Sequence, residues 1–175
     1  MKKIICIFSA LVMTLVSGCG ADKPEVKSDI LTADMLMTSD EAKGLVSYEP
    51  VMNIENSNQK SVLRIESEPK GADPIIIEVY SHNEKKSVAE IYEAFKQKKE
   101  KRTSAKDISE YDAEAFLAYP SVNIYRDGYM VVVTAGSGGD EEQDALLKKA
   151  GAIATTHLVE FLKENPTDSD LIEKE

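Results

Sequence analysis

The sequence has few of the residues and patterns from which enzyme active sites are most often assembled. Only two of its 175 residues are histidines, His82 and His157, and they form neither an HExxH nor an HxxxH spacing. The GxSxG elbow, the glycine-rich phosphate loops and the Asp-rich calcium loop are also missing. We therefore predict no catalytic residue, no metal site and no cofactor, although a Ser/His/Asp triad that assembles only in space stays open.

Positive charge is also scarce. Lysine and arginine total 21 against 31 aspartates and glutamates, which gives a net charge of −10. A domain this acidic repels phosphate backbones, so we do not expect nucleic acid as a partner. It repels anionic lipid headgroups as well, so membrane attachment would need something other than a basic patch. The basic run from Lys96 to Arg102 is interpreted as a solvated helix end, with an anion or partner contact as the alternative.

The apolar run at the amino terminus is too short to span a membrane. It extends from Ile4 to Val16, about 13 residues, whereas a spanning helix needs roughly 20. Lys2 and Lys3 precede it, and a positive segment followed by a short apolar segment is typical of a secretory signal peptide. A buried core helix is the alternative, but this run is apolar on every side and follows two lysines at the extreme amino terminus.

Leu15, Val16, Ser17 and Gly18 directly precede Cys19. Aliphatic and small residues followed by a cysteine resemble the lipobox of bacterial lipoproteins, where they are the recognition site of the signal peptidase. The resemblance implies that the Cys19 thiol receives a diacylglycerol and that the chain is then cut before Cys19. An ordinary secretory signal with a chance cysteine is the alternative.

Acylation would decide both the location and the chemistry of the mature chain. Two or more acyl chains, palmitate among them, anchor a protein stably because each buried CH₂ contributes roughly 0.8 kcal/mol. We therefore predict a lipoprotein on the extracytoplasmic face of the cell membrane, held in the lipid bilayer through Cys19. Cys6 would leave with the signal peptide, so no thiol would remain for a disulfide, a metal site or a nucleophile.

The local patterns of the remaining chain predict an α+β fold. Capping boxes at Thr38–Glu41 and Ser87–Glu90 start two helices, and an apolar stripe predicts a third helix over 141–164. The strands cluster as hairpins, which indicates one antiparallel sheet of about five to seven strands with the two longer helices packed on one face. The predicted organisation is a signal peptide over 1–18, the acylated cysteine and a flexible tether over 19–34, a single domain over 35–164 and an acidic disordered tail over 165–175.

The clearest local signal is a hairpin around Asp127-Gly128, a pair typical of a type I′ turn. The alternation on both sides of the turn predicts that Ile124 and Val131 share one face of the sheet. If the opposite face is uncovered, Tyr125, Tyr129 and Met130 form an exposed amphipathic patch suited to a partner. A second small core on that face is the alternative.

Three further sequence features carry a resemblance to known proteins. They are a short helix from Met37 to Ala42, an Asp-x-Glu-Ala-Phe segment from Asp112 to Phe116, and a hairpin that ends in alternating valines. Together they resemble small, uncharacterised exported lipoproteins of Gram-positive bacteria, and this resemblance implies no activity. We expect a non-enzymatic binding or accessory module, with an envelope protein or a small ligand as its partner. The alternative is an extracytoplasmic hydrolase that uses carboxylates and His82.

Overall fold

The strands of the domain form one antiparallel sheet. The computed structural model describes residues 30–58, 60–68, 71–80, 87–101, 105–136 and 139–166. The strands are β1 Pro50–Asn56, β2 Lys60–Ser67, β3 Ile75–Tyr80, β4 Lys106–Asp107, β5 Glu114–Ala118, β6 Ser121–Arg126 and β7 Tyr129–Ala135. Their order in the seven-stranded sheet is β1-β2-β3-β7-β6-β5-β4. The helices are a 3-10 helix over Ala33–Leu36, α1 over Ser39–Lys43, α2 over Val88–Glu100 and α3 over Glu141–Glu164.

Local chemistry explains where these elements begin and turn. The side chains of Thr38 and Ser87 each accept a hydrogen bond from the third helical residue, so both predicted capping boxes are complete. The turn between β6 and β7 places Asp127 at φ 45° and Gly128 at φ 83°, the left-handed region that a type I′ turn requires. The hairpin has the predicted register. The α+β class, the single domain and the antiparallel sheet are therefore confirmed.

The larger core lies on the face of the sheet that α3 and the 3-10 helix cover. Alternate residues of the central strands point into it, because side chains along a strand alternate between the two faces. Small residues of α3, such as Ala150 and Ala154, let the helix pack against this face. The buried residues in this core include Leu63, Ile65, Ile77, Val122, Ile124, Val131, Val133, Leu147 and Leu158.

The second helix packs on the opposite face, which corrects the prediction that both longer helices share one face. Residues 130–133 are buried on both sides of β7: Val131 and Val133 face α3, whereas Met130 and Val132 face α2. Since β7 is apolar on both faces, each face needs its own cover. The smaller core under α2 consists of Val88, Tyr92, Phe116, Ala118, Met130 and Val132.

The ordered domain starts earlier than the predicted boundary at residue 35. Leu31 is 2% exposed, Ala33 is fully buried, and both belong to the larger core. The Ala33 N–H donates to the hydroxyl of Ser61 at 2.8 Å, which ties the 3-10 helix to β2. A tether would therefore have to end before Leu31.

Several sequence predictions fall on residues that the structure does not describe. The lipobox with Cys19, the loop that holds His82 and most of the predicted acidic tail lie outside the described ranges. Within those ranges, each helix is too short or too polar to cross a membrane.

Candidate functional site

A groove lies between the second half of α3 and the loop that leads into β5. Its volume is about 310 Å³. Glu110 and Asp112 line it from the loop, and Thr156, Glu160 and Lys163 line it from the helix. The lining therefore holds three carboxylates and one ammonium group, so its net charge is negative. We call this feature the α3 groove.

The loop wall of the α3 groove is fixed to the helix by Tyr111. Its hydroxyl donates to the backbone carbonyl of Lys148 at 2.6 Å. This contact is possible because residue 151 is a glycine: a Cβ built on Gly151 would lie 2.7 Å from the Tyr111 hydroxyl oxygen and 3.1 Å from Val122. Burial, reinforced by the nearby charge of Glu110, raises the pKa of the Tyr111 hydroxyl to about 12. The tyrosine therefore stays a neutral donor over the physiological pH range.

Each carboxylate of the loop wall lies beside a cation. An Arg126 guanidinium nitrogen lies 2.6 Å from the Asp112 carboxylate, and the same side chain also donates to the Asp112 backbone carbonyl. The hydrogen bond to Asp112 raises the pKa of Arg126 further above its already high value. Glu110 lies 3.9 Å from the Lys148 ammonium, a longer contact between two exposed side chains. Such exposed pairs contribute little stability, so the contact with Lys148 holds Glu110 only weakly.

A second polar cluster joins α1 to α3 beside the groove. The His157 Nε2 atom lies 2.9 Å and 3.0 Å from the two carboxylate oxygens of Glu41, and His157 Nδ1 lies 3.7 Å from Glu160. The N–H and the hydroxyl of Thr38 also donate to Glu41, at 2.8 Å and 2.7 Å. The prediction of a half-buried His157 at the edge of the core is confirmed, because its side chain is 23% exposed.

The environment of Glu41 favours its charged form. Partial burial alone would raise the pKa of the carboxyl group. The hydrogen bonds from Thr38 and the contact with His157 together outweigh that effect and hold the pKa of Glu41 below its usual 4.5. The carboxylate therefore acts as a permanent acceptor at neutral pH, which links the start of α1 to α3.

The aromatic residues of the hairpin do not form the exposed patch that the sequence predicts. Met130 is fully buried under α2, and the ring of Tyr125 stacks on Tyr92 with 5.3 Å between centroids. Tyr129 lies on the other face, where its ring meets Phe161 edge-on at 5.8 Å. An exposed patch requires an uncovered face, and α2 covers this one. The structure has a second small core here, which is the alternative that the sequence left open.

The sequence alone indicates neither the α3 groove nor the Glu41–His157 contact. Glu41 and His157 are 116 positions apart, and the sequence around one of them gives no indication that it contacts the other. Gly151 gives the one usable signal, since a glycine inside a helix costs about 1 kcal/mol relative to alanine and so suggests a close approach. The sequence does not say that Tyr111 is the residue that approaches.

Neither the predicted lipidation site nor His82 can be related to the groove, because both lie outside the described ranges. Among the described residues, no group of three or more His, Cys, Asp and Glu side chains is arranged to hold a metal ion. The chain matches no protein-family model, and neither a curated protein nor a solved structure matches it.

Proposed function

We propose that the protein is a membrane-anchored extracytoplasmic lipoprotein that acts as a non-enzymatic binding module. The observation that carries the anchor is the order of the amino-terminal segments: two lysines, a short apolar run and small residues directly before Cys19. Acyl chains on Cys19 hold the module at the membrane without help from the folded domain.

The ligand of this module binds in the α3 groove and carries positive charge. Support comes from the lining, which holds the carboxylates of Glu110, Asp112 and Glu160 and one ammonium group from Lys163. Because Arg126 already pairs with Asp112, Glu110 and Glu160 carry most of the negative charge that a ligand would meet. The walls are held in advance by the Tyr111 hydrogen bond and the Arg126 ion pair. A groove whose walls are already ordered loses little conformational entropy when it binds, which favours affinity. A short peptide with lysine or arginine side chains fits this chemistry.

The anchor is tested by membrane fractionation of two matched variants in the native host. We expect the wild-type chain and Cys6→Ser to stay with the membrane after a high-salt wash, because the acylated residue is intact in both. Cys19→Ser loses the acceptor thiol, so we expect it to lose the processed, salt-resistant membrane form. If the Cys19→Ser chain is processed and retained like the wild type, the lipoprotein proposal is wrong.

The groove is tested by calorimetric titration of the full chain in detergent with a tri-lysine peptide and a tri-alanine peptide. We expect binding of tri-lysine only, with an affinity that falls as salt is added. Glu110→Gln should weaken it about two- to fivefold, the usual effect of one exposed charge pair. Glu142→Gln removes an equally charged, exposed residue from the first turn of α3 and should have no effect. Equal binding of the two peptides, or an equal loss of tri-lysine affinity in both variants, would refute the groove as the binding site.

A further inference from the structure

The two edges of the sheet are built differently. At one edge, β4 has two residues, Lys106 and Asp107, and both are exposed. At the other edge, β1 has seven residues and pairs with β2 without interruption from Pro50 to Asn56. Within the described ranges, no strand pairs with the outer side of β1. That side therefore presents a row of backbone donors and acceptors long enough to bind another strand.

The β1 edge has few of the features that usually prevent strand addition. Natural edge strands are protected by lysines, by bulges or by very short length, and β1 has none of these. Its one proline, Pro50, is the first residue of the strand, where it removes one donor from the end of the row and leaves the rest intact. Its one charged residue is Glu55.

At this edge, an apolar row of the core also ends in an exposed side chain. Ile54 pairs with Leu63, which in turn pairs with Ile77, so the three side chains share one face of the sheet. Leu63 and Ile77 are at most 1% exposed, whereas Ile54 is 43% exposed. A strand added beside β1 would continue this row and cover Ile54.

We propose that this strand is β1 of a second copy of the chain, paired antiparallel across a twofold axis at Asn53. This is the one antiparallel register in which all seven residues of each strand lie opposite a residue of the other, with Pro50 as an acceptor only. It places Met52 opposite Ile54 of the second copy, twice, on the core face of the sheet. It also places Glu55 opposite Val51, so no like charges meet.

The strand is thus complementary to itself, and the resulting interface is closed. Of the two edges that the described strands form, each copy uses the longer one, because the β4 edge offers two residues for pairing. A twofold interface between identical edges gives a dimer and does not propagate into fibres. This inference does not depend on the anchor or on the α3 groove.

Disulfide crosslinking tests the register directly. The full chain is used in detergent with Cys6→Ser and Cys19→Ser, so that one introduced cysteine is the only thiol. In Asn53→Cys the two cysteines face each other with Cα atoms roughly 4.5–5.5 Å apart, which suits a disulfide. In Glu55→Cys they are four residues out of register, roughly 13 Å apart along the strand. We expect a covalent dimer from the first variant and little from the second.

Sedimentation at a series of concentrations provides the second measurement. Ile54→Lys should raise the dissociation constant of the dimer about tenfold or more, because two apolar contacts are lost at the twofold axis. Met35→Lys changes a side chain of similar exposure, 40%, on the 3-10 helix and should leave the dimer intact. A monomer at all concentrations, equal crosslinking at both positions, or equal dissociation by both lysine variants would overturn the proposal.

Discussion

Gly151→Ala tests whether the loop wall of the α3 groove is held by the close contact between Tyr111 and α3. In a helix interior, alanine is favoured over glycine by about 1 kcal/mol, so the substitution should stabilise α3 if nothing else changes. The structure indicates a conflict, because the new Cβ would lie 2.7 Å from the Tyr111 hydroxyl oxygen. The ring must then move outward, and its hydrogen bond to the Lys148 carbonyl must lengthen or break.

The expected net effect is destabilisation. Overpacking at a tight buried contact costs about 1–3 kcal/mol. Loss of the hydrogen bond costs about 1 kcal/mol more, against a gain of about 1 kcal/mol from helix propensity. We therefore expect Gly151→Ala to lower the free energy of unfolding by about 1–3 kcal/mol.

The assay is urea unfolding of the wild type, of Gly151→Ala, of Tyr111→Phe and of the double variant. Without the hydroxyl group, the nearest contacts of the new methyl group are 3.1 Å and 3.2 Å, which small shifts can relieve. In the Tyr111→Phe background, Gly151→Ala should therefore change the free energy of unfolding by less than about 1 kcal/mol. If Gly151→Ala stabilises the wild type, or has the same effect in both backgrounds, the close contact does not hold the wall.

Two further substitutions test other parts of the structure. Glu41→Gln should reduce the acid sensitivity of the domain: the pKa of Glu41 is lowered in the folded state, so its contribution to stability is present above the usual pKa of 4.5 and is lost as the pH falls below that value. Thermal unfolding across this range should show the stability difference between wild type and variant shrinking with acid, and a constant difference would contradict the reasoning. Met130→Ala should lower the free energy of unfolding by about 2–5 kcal/mol, because Met130 is fully buried under α2. A cost below about 0.5 kcal/mol, typical of a surface site, would mean that α2 does not cover this face.

Features set by neighbouring residues could be predicted from the sequence. The Asp127-Gly128 turn fixes its own register, because two left-handed residues are needed there and the alternation on either side then places each pair. The capping boxes of α1 and α2 depend on residues three positions apart, so they too are visible locally. The same holds for α3, whose predicted range over 141–164 agrees with the structure.

The placement of the elements against each other could not be predicted in the same way. The burial of both faces of β7 is implied by the unbroken apolar run at 130–133, but that run does not say which helix covers which face. The α3 groove depends on Tyr111 and Gly151, which are 40 positions apart and meet only after the sheet and α3 have packed. A contact of this kind has no period or spacing that identifies it in a single sequence.

The identity of the amino-terminal residue in protein extracted from its own membrane tests the proposed function most directly. Mass spectrometry of the terminal peptide should find a chain that begins at Cys19 with a diacylglycerol on its thiol. A chain that keeps residues 1–18, or that carries a free thiol at Cys19, would contradict the account.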